Sequence, residues 1–434
     1  MSATVVRYDL YRGHPNMKLL PMSEMKQIMS DLVHDEENSW TNYLNYGMDE
    51  GDERFRLALR TFLDRRTEND DRGSDSSSPR MTDERRDLFI TDGVSHGIEL
   101  ICRTCTVPGD EVWVERPTYF LAPKIFESNG MIVKSLPMTH DDDDDDVGGR
   151  VDIDRLVQLV EVDGIAPPKL VYIIPSYHNP TGRSMTVDDR QRLASFAIRN
   201  GVILVADEVY HLLDWELKSS NGVVVRRPAG FATYTDEKKG NSSVSDADRL
   251  GCCVSVSSFT KIWGPGIRLG WIDAPSVIMK RLTDYGYIIS QGGHSPFTGR
   301  MMTHAIESNL LDKYLDKLRH EYAERYELMC DILKDEPRIA ILTDNVPNNR
   351  RGGYFIWVKF PLNANSEEFS LYSIDKYGVR FMPGGRCDPF KSSDDCGKYI
   401  QSCARLCFAN IDRKDLAPAT SAFVEAFRSF MKRT

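Results

Sequence analysis

The stretch SSFTKIWGPGIRLGW, Ser257 to Trp271, sets one lysine between a run of hydroxyl residues and a Gly/Pro turn, with an arginine seven residues further on. It continues a β-rich run, CCVSVSS, so Lys261 stands at a strand-to-loop junction. A lysine in a loop is by itself ordinary solvated structure. An amine has a chemical use there when desolvation and cationic neighbours lower its pKa, because the neutral form attacks carbonyl groups. Ser258, three residues before it, and Arg268, seven after it, supply a hydroxyl and a guanidinium fork suited to a phosphate dianion. The trio therefore reads as a Schiff-base lysine for an aldehyde cofactor that carries a phosphate.

Outward from this stretch, strands and helices alternate. LFITDG (Leu88 to Gly93), DEVWVERP (Asp110 to Pro117), MIVKSLP (Met131 to Pro137), LVYIIPS (Leu170 to Ser176) and VILVADE (Val202 to Glu208) are short β-rich runs ending at turn or polar residues. Helical patterns lie between several of them: SHGIELICRTC, PTYFLAPKIFESN and TVDDRQRLASFAIRNG, the last closed by a glycine. Alternation of this kind predicts βαβ units and an α/β fold, with a mostly parallel central sheet covered by helices on both faces. Such sheets place ligands at the carboxyl ends of their strands. After Gln291 the pattern changes to long helices (Thr298 to Lys334), then to strands around GGYFIWVKF, GVRFMPG and ARLCFAN. The expected organisation is a large α/β domain over residues 43–297 and a smaller α+β domain from residues 1–42 and 298–434.

A chain of 434 residues, 41% hydrophobic, has material for a sizeable core. Its net charge of −10 gives no basic field, so neither nucleic acid nor an anionic membrane is an expected partner. No apolar run approaches a membrane span and no targeting pattern is evident, which makes a cytoplasmic location the expectation. Nine cysteines, an odd number, read as reduced thiols. The pairs Cys102/Cys105 and Cys403/Cys407 read as small buried hydrophobes, not redox or metal motifs. Three polar segments interrupt the pattern: Asp70 to Arg80, His140 to Arg150 with its six consecutive aspartates, and Lys218 to Arg249. They read as solvated insertions. His96, His178, His211 and His294 have no ligand spacing, and no metal is assigned.

Further residues complete the chemistry begun by Lys261. Asp207 ends an apolar strand, where a carboxylate is costly unless paired, and a protonated pyridine nitrogen is a fitting partner. Tyr210 and Asn179, the latter in PSYHNPTG, can donate to a phenolate oxygen on the same ring. In TDGVSHGIEL a strand ends at Gly93 and a helix opens at about Ser95, so free backbone N–H groups meet an anion there. Arg405 lies in a β-rich run between Cys and Phe neighbours, where a buried guanidinium calls for an anionic ligand.

In their order along the chain these motifs resemble the class I/II aminotransferases, fold-type I pyridoxal-phosphate enzymes of aspartate-aminotransferase-like architecture, and among them the kynurenine/2-aminoadipate and fungal aromatic branch. The resemblance runs from about Tyr43 to Ala409: Y-x-x-x-x-G, T-x-G-(x)3-G, P-x-Y, N-P-T-G, D-E-x-Y, S-x-x-K-(x)6-R and R-L-x-F. It implies pyridoxal 5′-phosphate as cofactor, with Lys261 as its Schiff-base residue and proton shuttle. By the same resemblance Asp207 binds the pyridine nitrogen, Asn179 and Tyr210 the phenolate oxygen, and Tyr119 stacks on the ring. Val94, Ser95, Ser258 and Arg268 hold the phosphate. Tyr46 resembles the tyrosine that crosses to the partner's phosphate, which implies a homodimer with shared sites. Arg405 matches the clamp for the substrate α-carboxylate, assisted by Asn179 and the backbone at Gly13.

The implied reaction moves an amino group from an L-α-amino acid, aromatic or 2-aminoadipate-like, to a 2-oxo acid such as 2-oxoglutarate by a ping-pong mechanism. Tyr11, Tyr285, Tyr287 and His294 lie in segments that line the entrance in relatives, suggesting a roomy pocket. Dicarboxylate-specific members use a further arginine, and no motif here identifies one. Two other classes share the motifs: a lyase, substitution or carbon–carbon bond-forming enzyme on the same cofactor, and a regulatory module without catalysis. Regulators of that kind carry a DNA-binding extension before the domain, for which the acidic balance gives no support.

Overall fold

A computed structural model describes residues 6–34, 44–66, 86–139, 149–216, 228–234, 251–290, 293–344 and 350–433. Most of the three polar insertions, the aspartate run included, lies outside the described residues. The central element is a seven-stranded sheet. From edge to edge its strands are Arg86–Thr91, Gly270–Pro275, Cys252–Ser258, Ile203–Asp207, Leu170–Ile173, Glu111–Val114 and Ile132–Ser135. The strands from Cys252–Ser258 to Ile132–Ser135 are mutually parallel. Gly270–Pro275 runs antiparallel to both its neighbours. The expected α/β fold with a mostly parallel sheet is observed. The strand Gly270–Pro275 is not among the β-rich runs read from the sequence, because Gly270, Asp273 and Pro275 give that segment little β character.

The middle strands are buried along their whole length because both faces are covered. Every side chain of Leu170–Ile173, Ile203–Asp207 and Cys252–Ser258 is buried. Two apolar clusters pack on opposite faces: one around Val205, Val254, Tyr172 and the helix Val94–Cys105, the other around Leu204, Val171 and the helix Val187–Arg199. That second helix has clear local causes. Thr186 caps it by accepting from the Asp189 N–H at 3.1 Å, and it stops before Gly201, whose φ of +69° lies in the left-handed region. Cys102 and Cys105 are buried in the helix Val94–Cys105, and burial pushes the Cys102 thiol up to about 12.

A second sheet of four strands, Ala340–Ile341, Phe355–Lys359, Cys403–Cys407 and Met382–Pro383, lies in the C-terminal part. The N-terminal segment belongs to it in space. Tyr8–Asp9 pairs with Val379–Arg380, and the Leu10 carbonyl accepts from the Cys407 N–H at 2.8 Å. Residues 10–14 are thereby strapped across the strand that carries Arg405.

One buried ion pair ties the two sheets together. Arg116, just beyond the strand Glu111–Val114, donates to both Asp388 oxygens at 2.9 and 2.8 Å, and to Asp394 at 2.8 Å. Beside it, the Thr118 N–H donates to the Cys387 carbonyl at 3.0 Å. The side chains of Arg116 and Asp388 are 9% and 3% exposed, whereas Asp394 is 50% exposed. Removing Asp388 leaves the buried guanidinium with only the half-exposed Asp394 as a carboxylate partner. Asp388→Asn is therefore expected to destabilise the protein by about 3 kcal/mol and Asp394→Asn by less than about 1 kcal/mol; the urea midpoints of the two variants, in equilibrium unfolding, check the order.

Candidate active site

The carboxyl ends of the parallel strands open onto a cavity of about 270 Å³. Asp207, Val209 and Tyr210 enter it from the end of one strand, Ser258, Thr260 and Lys261 from the next, and Gly93, Val94 and Ser95 from the helix start beside them. Arg405 and Phe355 come from the second sheet, and Tyr11 to His14 from the strap.

Asp207 is 4% exposed and accepts from the Tyr172 hydroxyl at 2.8 Å and the Val209 N–H at 3.4 Å. Burial pushes its carboxyl up to about 6, against the pull of those two donors and of Lys261. Lys261 donates from Nζ to the Gly13 carbonyl at 2.6 Å, and the Tyr354 hydroxyl fixes its own carbonyl at 2.8 Å. Burial lowers its amine to about 8, with Arg405 adding to the effect. Arg405 is 2% exposed; it donates to the Asn179 side-chain oxygen and the Tyr11 carbonyl, both at 2.7 Å, and lies over the Phe355 ring. No carboxylate among the described residues forms a salt bridge with Arg405 or Lys261. Tyr210 packs on the rings of Tyr354 and Phe355, and burial holds its phenol well above the ordinary range, so it remains a hydrogen-bond donor.

The other end of the cavity is rich in donors. The helix Val94–Cys105 starts there, with the amides of its first turn free of intrahelical partners. Gly93 takes φ of +104°, and a Cβ there would meet Arg268 Nη2 at 3.2 Å, so glycine lets the guanidinium lie across the helix start. Arg268 donates to the Asp92 carbonyl and, at 3.3 Å, to that of Pro265. The Ser258 and Thr260 hydroxyls are 2.6 Å apart, and the Thr260 N–H donates to Ser258 Oγ at 2.9 Å. Amides, two hydroxyls and a guanidinium form a cradle for a dianion.

The cavity is thus lined by Gly13, Val94, Ser95, Tyr119, Asn179, Asp207, Tyr210, Ser258, Lys261, Arg268 and Arg405, eleven of the twelve residues expected from sequence. Tyr46 is not in it; its side chain is 81% exposed in this single chain. Of the entrance residues, Tyr11 lines the cavity, while Tyr285, Tyr287 and His294 do not, His294 instead meeting Asp92 at 2.9 Å. Sequence reasoning passed over Tyr172, Thr260, Arg12, His14, Phe355 and Met382. Thr260 carried a signal, a second hydroxyl beside Ser258; Tyr172 carried none, being one more apolar strand position.

The donor set fits pyridoxal phosphate. A buried carboxylate suits the pyridine nitrogen, an amine of lowered pKa the aldehyde, and the cradle the phosphate. Residues 16–423 match the family model for aminotransferase class I and II. An uncharacterized protein of Saccharomyces cerevisiae is 25% identical over 438 residues, covering 94% of each chain. Aromatic-amino-acid aminotransferase 1 of Thermococcus litoralis is 24% identical over 427 residues, covering 98% of this chain and 89% of the relative. The kynurenine aminotransferase of Pyrococcus horikoshii, solved in complex with PMP, KYN and KYA, shares the fold at a TM-score of 0.75, with 23% identity and coverage of 99% of this chain and 92% of that one. Sequence, fold and cavity chemistry agree: the chain belongs to the class I and II aminotransferases and is a pyridoxal-phosphate-dependent transaminase.

Proposed function

We propose that the protein transfers the amino group of an L-α-amino acid with an aromatic or 2-aminoadipate-like side chain to a 2-oxo acid such as 2-oxoglutarate, in a ping-pong cycle. The observation that carries this reading is the buried Arg405 guanidinium, without a carboxylate partner among the described residues, in the same cavity as Lys261. The same cavity is also lined by Phe120, Leu121, Ile125, Phe355 and Met382, apolar side chains suited to a large substrate group.

Pyridoxal phosphate, when bound, supplies an aldehyde that condenses with primary amines and a protonated ring that accepts the electrons of a broken Cα–H bond. The residues supply everything else. Asp207 would hold the ring nitrogen protonated, and Tyr172 supports its ionised form by donating to Oδ2. Tyr210 and Asn179 would donate to the ring's phenolic oxygen, Tyr119 would stack on the ring, and Val94, Ser95, Ser258, Thr260 and Arg268 would receive the phosphate. Arg405 orients the substrate by its α-carboxylate, held in place by Asn179 and Tyr11, with the Gly13 backbone beside it. Lys261, its amine lowered to about 8 by burial, would take the proton from substrate Cα and deliver it to the cofactor C4′ carbon. Tyr46 reaches the phosphate of a second copy in a homodimer, a role that its exposure in the single chain supports.

Lys261→Ala is expected to lower the rate of amino transfer by at least about a hundredfold, and retention of full turnover would sink this assignment. Arg405→Ala is expected to weaken amino-acid binding by at least about thirtyfold, equivalent to about 2 kcal/mol, with cofactor still bound; spectrophotometric titration separates the two effects. For Asp207 the folded pKa lies above the ordinary carboxyl value. Acidification through about 6 therefore protonates it in the cofactor-free fold, favouring that fold while removing the anion that the ring nitrogen needs. Cofactor affinity, by equilibrium dialysis, is expected to fall as pH drops through about 6. Tyr172→Phe should shift that fall to higher pH, and superimposable profiles would show that Tyr172 does not support the carboxylate.

A further inference from the structure

We propose that Tyr354 is a positioning residue for amino transfer: from behind the cavity wall it holds Lys261 by its backbone and turns a ring face to its amine, so that the lysine meets substrate Cα in one orientation. The inference rests on the reading of Lys261 as the group that moves the Cα proton. Tyr354 is 0% exposed and is not among the residues lining the cavity. Its effect on the reaction therefore passes through the side chains and backbone it touches.

A lysine at a strand-to-loop junction can be misplaced in two ways, by its backbone and along its flexible stem. The backbone leaves the sheet after Phe259, whose N–H still donates to the Leu269 carbonyl at 3.0 Å. Two residues later the Lys261 carbonyl accepts from the Tyr354 hydroxyl at 2.8 Å. At the far end of the side chain, Nζ donates to the Gly13 carbonyl at 2.6 Å and lies 5.5 Å from the centroid of the Tyr354 ring. That distance is within the range at which an ammonium is attracted to an aromatic face. One side chain thus meets the lysine at both ends.

The tyrosine is itself fixed. It stands at the head of the strand Phe355–Lys359, and its carbonyl accepts from the Phe408 N–H at 3.1 Å. Gly353, just before it, takes φ of +76° and donates to the Leu213 carbonyl at 2.9 Å. The rings of Tyr210, and of Tyr322 on the helix Leu310–Leu333, pack on its ring at 5.4 and 5.3 Å between centroids. Burial holds its phenol well above the ordinary range, so the hydroxyl remains a donor. Lys261 and Tyr210 therefore take their places from the same rigid side chain. Such placement matters because an error of about 1 Å at a reacting group can cost about a hundredfold in rate.

Tyr354→Phe removes the hydroxyl and keeps the ring; Tyr354→Leu removes both. With cofactor-loaded enzyme and phenylalanine, or whichever amino acid the wild-type enzyme converts fastest, the single-turnover rate of Tyr354→Phe is expected to fall about tenfold, and that of Tyr354→Leu further. Affinity for the unreactive probe 3-phenylpropanoate, titrated calorimetrically, should stay within about twofold, because Arg405 and the apolar wall are untouched. The rate with the α-deuterated amino acid should stay slower than with the protiated one by at least the wild-type ratio, showing that proton transfer is the step that slowed. An unchanged rate in Tyr354→Phe would overturn the proposal. So would a fall matched by an equal loss of probe affinity, or one that abolishes the isotope effect, since a merely structural tyrosine disturbs binding and other steps alike. Lys261→Ala separates this inference from the reading beneath it. If that variant keeps full turnover, both fail; if it loses turnover while Tyr354→Phe keeps the wild-type rate, the role of Tyr354 alone fails.

Discussion

Three charges share one cavity without a salt bridge among them: the Asp207 carboxylate, the Lys261 amine and the Arg405 guanidinium. Each is expensive in a protein interior when unpaired. The fold bears that cost through what surrounds them. Asp207 ends a strand buried on both faces, Lys261 follows the neighbouring strand, and Arg405 is held in the second sheet by the Asn179 side chain and the Tyr11 carbonyl. The cavity holds these charges by hydrogen bonds, without a salt bridge to any of them among the described residues, an arrangement that fits the proposed pyridinium for the acid, aldehyde for the amine and α-carboxylate for the guanidinium.

The architecture positions these groups through long-range contacts. The strap of residues 10–14 joins the second sheet to the cavity, so the wall of the substrate pocket is the same segment that hydrogen-bonds both cations. The buried pair of Arg116 and Asp388 joins the end of the first sheet to the segment that follows the strand Met382–Pro383 of the second.

Much of this was legible in the sequence, for a physical reason. Parallel strands covered on both faces read as continuous apolar runs, and the residue that interrupts such a run in polar fashion, as Asp207 does, lies at the ligand-binding end. Motifs of local geometry, such as the helix start after Gly93 and the hydroxyl-lysine junction at Ser258 to Lys261, are likewise visible in a few residues. Contacts made by register are not. Tyr172 reaches Asp207 because its strand pairs with Ile203–Asp207, and nothing in LVYIIPS marks that hydroxyl. Arg12 reaches the cavity because Tyr8–Asp9 pairs with Val379–Arg380, some 370 residues away. The strand Gly270–Pro275 was hidden because its place between two antiparallel partners, more than its own composition, makes it a strand.

The most direct measurement is the visible absorption spectrum of the purified, cofactor-loaded protein, recorded alone, after each of a panel of amino acids, and again after 2-oxoglutarate. The account predicts that the band of the lysine-bound cofactor gives way to that of its amine form with aromatic or 2-aminoadipate-like donors, and that 2-oxoglutarate restores it. A band that persists through the panel, or release of ammonia and an oxo acid without the amine form of the cofactor, would contradict it and assign the cavity to elimination or bond-forming chemistry.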